Sequence, residues 1–104
     1  MGSAVRLYSR KDKDLLNAIR TDDLRLFNVA LEKGAAINKA FDYGWTPLHW
    51  ASFKGNLTMV EILRDRGAKT KQKNNDKNTP ADICCWDGGD PTIRKKIMIV
   101  LQEE

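Results

Sequence analysis

The stretch Gly44-Trp45-Thr46-Pro47-Leu48-His49-Trp50-Ala51-Ser52-Phe53-Lys54-Gly55-Asn56 gathers three large aromatics and the chain's only histidine. Two readings compete for it: His49 as a catalytic or metal-binding group in an aromatic pocket, or His49 as part of a scaffold that displays the aromatics. The local chemistry announces a helix. Thr46 is a good N-cap, because its hydroxyl can accept from an otherwise orphaned backbone N–H, and Pro47 suits the first helical position, where a missing N–H would be unpaired anyway. Leu48, Ala51 and Ser52 then give a short helix a small inner side, which Gly55 can end. Leu57, Val60, Ile62 and Leu63 predict a second helix from Leu57 to about Arg66, closed by Gly67 in the left-handed conformation.

The pattern recurs. Thr46-Pro47 returns as Thr79-Pro80, and Gly34-Ala35 returns as Gly67-Ala68, both displaced by 33 positions. At that displacement Leu15, Ala18 and Leu24 precede Leu48, Ala51 and Leu57, and Gly55 precedes Gly88. A fixed period in this range marks a stacked repeat protein, in which one supersecondary unit cannot bury its apolar face alone.

Gly44-Trp45-Thr46-Pro47-Leu48-His49-Trp50-Ala51, continued by Gly55-Asn56-Leu57 and Gly67-Ala68, resembles the ankyrin signature. The resemblance implies an all-α fold, an ankyrin-repeat solenoid of stacked helix-turn-helix units joined by β-turn loops. One domain would span 1–104, in units of about 8–40, 41–73 and 74–104. The first unit has Lys13-Asp14 where Thr-Pro would stand, as a polar cap would. The third keeps Thr79-Pro80, places Ala81-Asp82 where Leu-His is usual, and departs at Gly88-Gly89-Asp90-Pro91. Asp82 can reach back to its cap, and Thr79 announces a short helix there too. A last helix is expected from Asp90-Pro91 through Ile93, Ile97, Val100 and Leu101.

The resemblance settles the role of His49 as scaffold: it stands where the family's histidine bonds near the threonine and braces neighbouring repeats. Trp50 is assigned to packing. Residues before Thr-Pro and near the end of the first helix line the family's concave binding surface. Asp42, Tyr43 and Trp45 match the first set and Phe53 and Lys54 the second, with Trp86-Asp87 and Arg20-Thr21 in the equivalent places of the neighbouring repeats. Tyr43, Trp45, Phe53 and Trp86 are therefore expected to form one aromatic stripe, since aromatics dominate binding hot spots. Asp42, Lys54, Asn75, Asp76, Asn78 and Asp87 would tune specificity around it. The implied function is non-enzymatic protein–protein interaction, by a small adaptor, regulator or assembly subunit. The competing expectation is a structural cap or excised segment of a longer ankyrin array.

Composition bounds the rest. The 104 residues suit one modest domain, and 41% hydrophobic with 31% charged residues suits a globular chain. The longest apolar run, Ile97 to Leu101, is far short of a membrane span, and no secretory h-region is visible. Gly2 raises myristoylation, but Arg6 stands where that motif needs Ser or Thr. Cys84 and Cys85 are adjacent, and adjacent side chains in a regular element point apart, so a disulfide between them is not expected and an intracellular, cytoplasmic or nuclear site is. They are expected to pack as small apolar residues. One histidine and two adjacent thiols do not readily close a tetrahedral metal site, so no metal or cofactor is expected.

The net charge of +4 permits an acidic partner or nucleic acid without demanding either. Four lysines in 69–77 read as a solvated hairpin tip or a basic rim. No groove-reading motif accompanies them, which argues against nucleic acid. The apolar run at Ile97, Met98, Ile99 and Val100 exceeds what a one-sided helix needs. Its expected cover is the N-terminal 4–8 segment, a further repeat, or a partner subunit such as a second copy of the chain.

Overall fold

The computed structural model describes residues 9–102. Gly2 and the 4–8 segment lie outside them. Among the described residues there are five α-helices and no strand: α1 (Arg10–Arg20), α2 (Leu24–Glu32), α3 (Pro47–Lys54), α4 (Leu57–Asp65) and α5 (Pro91–Gln102), with a 3-10 turn over Asp42–Gly44.

Each boundary has a local cause. Asp23, Thr46 and Asn56 accept at their side chains from the N–H groups of Leu26, His49 and Met59, capping α2, α3 and α4. Gly55 closes α3 at φ 72°, where a side chain would be strained. Asp90 caps α5 through Thr92 N–H at 2.8 Å, and Pro91 follows as its first residue, as the sequence predicts. The first helix differs from expectation. Its N-cap is Ser9, which accepts from Asp12 N–H, so α1 begins ahead of Lys13-Asp14. That places Asp12 on the buried side, where its carboxylate accepts from Ala36 N–H at 2.8 Å and pairs with Lys39 at 3.5 Å, tying α1 to the loop that follows α2.

α1 packs on α2 and α3, α3 on α4, and α4 on α5. One apolar core runs through the stack, with Leu15, Ile19, Phe27, Leu48, Met59 and Leu63 among its fully buried side chains. Burying an aliphatic or aromatic side chain of this size stabilises by about 1.5–3 kcal/mol. Val60 and Leu63 fill the places expected of them, while Leu57 and Ile62 are half-buried and Met59 takes an inner place that the sequence reading did not assign.

The helix announced by Thr79 does not form. The reciprocal cap does, with Thr79 N–H on the Asp82 carboxylate at 2.9 Å and Asp82 N–H on the Thr79 hydroxyl at 3.4 Å. Beyond it the chain makes successive turns closed by Cys84 N–H to Ala81 O, Trp86 N–H to Ile83 O and Gly88 N–H to Cys85 O. The α-helical ladder is interrupted because Cys85 N–H goes to Ser52 O at 2.8 Å and Asp87 N–H to Phe53 O at 3.1 Å. Those acceptors lie in the last turn of α3, where carbonyls are left over from the α-helical ladder; Ser52 O accepts from Gly55 N–H at 3.0 Å as well. Cys85 itself is left-handed, with φ 62°.

The apolar C-terminal run is covered from within. Ile97, Val100 and Leu101 are buried against the core and Met98 is half-buried, leaving Ile99 57% exposed. Ile97 and Val100 are thus unavailable as a contact for a second copy, because α4 occupies the side they face.

Candidate functional site

The candidate site is built on two loop tips. In the first, Phe41 N–H donates to Trp45 O at 2.8 Å; in the second, Asn74 N–H donates to Asn78 O at 2.9 Å, the same bond one period later. Asn75 N–H donates to Tyr43 O at 2.9 Å and holds the tips side by side. Tyr43 and Gly44 are both left-handed, and a Cβ on Gly44 would stand 2.8 Å from Asn75 N, so the close approach depends on that glycine. The Asn74 side-chain oxygen accepts from the N–H groups of Asp76 and Asn78, shaping the second tip from inside.

His49 is the brace beneath these loops. It is 0% exposed, its Nδ1 accepts from Thr46 N–H at 3.1 Å and meets the Thr46 hydroxyl at 2.8 Å, and its Nε2 meets Asn78 O at 2.9 Å. This set requires a neutral ring protonated at Nε2, which donates to the Asn78 carbonyl. Burial holds the imidazole below its ordinary value of 6.5, against the opposing pull of the Asn78 carbonyl and the Asp82 charge. With both nitrogens engaged and no exposed surface, His49 cannot reach a substrate.

The aromatics divide. Trp45 and Phe53 meet edge-on with ring centroids 5.2 Å apart, and Trp50 joins both, at 4.8 Å from Trp45 and 5.7 Å from Phe53. Trp50 packs against the core but is only half-buried, so it belongs to this cluster as well as to the interior. The guanidinium of Arg20 lies over its ring, 5.8 Å from the centroid. Tyr43 is 76% exposed and Trp86 61% exposed, one at a loop tip and one in the turns after Thr79. The expected single stripe is therefore a packed cluster flanked by two exposed rings.

The polar residues around them have varied duties. Lys54 and Asp87 form an ion pair at 3.1 Å, so each offsets the other's charge. Asn78 serves through its carbonyl, half-buried under His49. Asn75 holds the tip against Gly44, and Asp42 and Asp76 are exposed beside Tyr43. Arg20, Asp42, Tyr43, Trp45, Trp50 and Asp76 line an open concavity of about 440 Å³. Sequence reading placed Arg20 in register with Phe53, yet its role over Trp50 was not expected.

The cysteine sulfurs lie 3.3 Å apart instead of diverging, because the left-handed Cys85 turns its side chain back toward its neighbour. Both are free thiols; Cys84 is buried and Cys85 half-buried. Desolvation, with the neighbouring thiol, pushes Cys84 up to about 11. Among the described residues no three His, Cys, Asp or Glu side chains gather as a metal site, and no helix is long and apolar enough to cross a membrane.

Residues 10–98 match the family model described as ankyrin repeats (3 copies). The chain belongs to the ankyrin-repeat family. Among curated relatives it is 31% identical, over 91 residues, to the ankyrin repeat, SAM and basic leucine zipper domain-containing protein 1 of Atelerix albiventris, which covers 88% of this chain and 19% of that protein. Over 48 residues, 46% of the chain, it is 48% identical to the protein VAPYRIN-LIKE of Medicago truncatula, of which this is 10%. The chain thus spans about a fifth of the length of the first relative and less of the second. The solved ankyrin repeat domain of Bcl-3, a member of the IkappaB protein family, superposes with a TM-score of 0.73 at 26% identity, covering 86% of this chain and 36% of that one. Ankyrin-repeat domains serve generally as protein-interaction scaffolds, and the departure after Thr79 is a local variation on that architecture.

Proposed function

We propose that this ankyrin-repeat chain is a protein-binding module, acting as a small adaptor, regulator or assembly subunit without catalysis, whose partner seats on the concave aromatic face. The observation that carries the reading is the packed Trp45, Trp50 and Phe53 cluster, flanked by Tyr43 and Trp86 at 76% and 61% exposure. Rings this exposed gain little for the fold, and a pre-packed cluster offers a partner large contact area with little ordering cost. Asp42, Lys54, Asn75, Asp76, Asn78 and Asp87 surround the rings and would set register and selectivity.

The test is quantitative capture from source-cell lysate with the wild-type chain, a Tyr43→Ala, Trp86→Ala variant, and an Ile99→Asp control on the opposite feature of interest, the exposed part of α5. Both substitutions of the variant fall on exposed side chains, so the fold should survive them. Selective loss of a partner from the aromatic variant, with retention by Ile99→Asp, is the expected result. Loss confined to Ile99→Asp would move the contact to α5 and favour the cap reading.

A further inference from the structure

Cys84 and Cys85 bring two free thiols together, with their sulfurs 3.3 Å apart. The left-handed turn at Cys85, φ 62°, makes the approach possible, and backbone bonds fix it: Cys85 N–H reaches Ser52 O at 2.8 Å and Gly88 N–H closes on Cys85 O at 3.0 Å. Cys84 is buried beside the Ser52 hydroxyl, while Cys85 is half-buried. Glycine backbone walls the Cys85 sulfur. A Cβ on Gly55 would stand 3.3 Å from it and one on Gly89 3.4 Å, so neither residue lays a side chain over it.

The spacing discriminates among the things two thiols can hold. A disulfide needs the sulfurs at about 2.05 Å and prefers Cα atoms at least about 4.4 Å apart, whereas consecutive Cα atoms stand only about 3.8 Å apart. A single atom bonded to both sulfurs needs no such closure. With bonds of about 2.3 Å, the length of a zinc–thiolate bond, sulfurs 3.3 Å apart subtend about 90° at the shared atom. That is tighter than the tetrahedral angle zinc adopts. It suits a pyramidal trivalent arsenic centre, which bonds through nearly perpendicular p orbitals. Proton chemistry points the same way. A metal ion must take both thiols as thiolates, and desolvation with the neighbouring thiol pushes Cys84 up to about 11. Trivalent arsenic brings an oxygen of its own, which carries the thiol protons away.

We propose that Cys84 and Cys85 form a chelating site for a trivalent arsenical, one arsenic atom bridging the two sulfurs. Cys85 adds first because it is accessible. Cys84, closed to reagents from bulk water, then meets an atom already held on its neighbour, a step favoured by proximity. For an arsenoxide, two As–S bonds form, the arsenic–oxygen bond breaks, the oxygen leaves as one water with both thiol protons, and arsenic stays trivalent. The site is independent of the partner-binding reading.

The test titrates the whole reduced chain with phenylarsine oxide, read by intact mass and by urea unfolding. The expected product is one reagent per chain, bound with loss of one water, retained in millimolar glutathione and stripped by the dithiol 2,3-dimercaptopropanol. Cys84→Ala and Cys85→Ser should each bind at least about a hundredfold more weakly and lose the adduct to glutathione, since one sulfur has no chelate advantage. Any adjacent cysteine pair offers two thiols, so the contribution of the fold is read on the wild type. The folded site should bind about tenfold tighter than the urea-unfolded chain, raising the unfolding midpoint as reagent is added. Excess Zn2+ should leave occupancy unchanged. Two reagents per chain, a glutathione-resistant adduct in either single-cysteine variant, a midpoint that stays or falls with reagent, or displacement by Zn2+ would each overturn the assignment.

Discussion

Lowering the pH from about 7.5 to 5 should destabilise this protein by way of one side chain, for a reason that lies in the geometry around His49. At neutral pH the imidazole is uncharged in both the folded and the unfolded chain. Below 6.5, its ordinary value, the unfolded chain takes up a proton that the folded chain refuses. Burial disfavours the charge, and a proton on Nδ1 would face the Thr46 N–H that now donates to it. The unfolded state then binds more protons, so stability is fully present above 6.5 and falls as pH drops toward the depressed folded value, by up to about 1.4 kcal/mol per pH unit. For a domain of this size, urea slopes of about 1–3 kcal/mol/M translate that loss into a midpoint shift of up to about 0.5–1.4 M per pH unit.

Because the chain has a single histidine, the effect can be assigned. The assay is urea unfolding followed by tryptophan fluorescence across that range, for the wild type and His49→Gln. The variant should lose about 2–6 kcal/mol at pH near 7, since Thr46 N–H and Asn78 O each forfeit a buried partner worth about 1–3 kcal/mol. It should also show a flat profile where the wild type slopes. Equal slopes in the two proteins, or a wild type indifferent to pH below 6.5, would refute the linkage to His49.

Gly44→Ala should cost about 1–3 kcal/mol by denaturant titration, because φ 76° strains a side chain and its Cβ would press on the Asn75 backbone; an unchanged midpoint would show that the tips move apart freely. Ser52→Ala removes a buried 2.6 Å bond to Pro80 O and should cost about 1–2 kcal/mol, with amide exchange rising first across 80–87, where the turns depend on α3. A thiol-selective disulfide reagent should modify Cys85 quickly and Cys84 only after unfolding, since the latter is buried and held at about 11; rapid modification of both in the native state would contradict that environment.

The features readable from sequence are those decided within a turn of chain. Thr46 and Pro47 start α3 because a hydroxyl three residues from an N–H, and a ring with no N–H of its own, act wherever the helix sits. Gly55 ends it because only its immediate φ matters, and Asp90-Pro91 start α5 for the same reasons as Thr46-Pro47. The period of 33 carried the family, and with the family came the brace role of His49, for which the structure supplies the partner, Asn78 O at Nε2.

Other features depended on partners distant in the chain. Thr79-Pro80-Ala81-Asp82 makes its cap, yet the helix fails because Ser52 O and Phe53 O take the N–H groups of Cys85 and Asp87. Local signals name only what a segment can do alone, and here an acceptor from another repeat competes successfully for the same donors. The apolar run of α5 looked too broad for a terminal helix until α4 was seen to bury Ile97, Val100 and Leu101. Trp50 read as interior by register, whereas the surrounding loops leave its ring open enough to join Trp45 and receive Arg20. The sequence by itself determined the repeat and the caps at Thr46, Thr79 and Asp90, because spacing and backbone preference act locally. Only the tertiary structure decided which rings touch, which charges share the concavity and which backbone donors leave their own helix, because those outcomes are competitions between groups far apart in the chain.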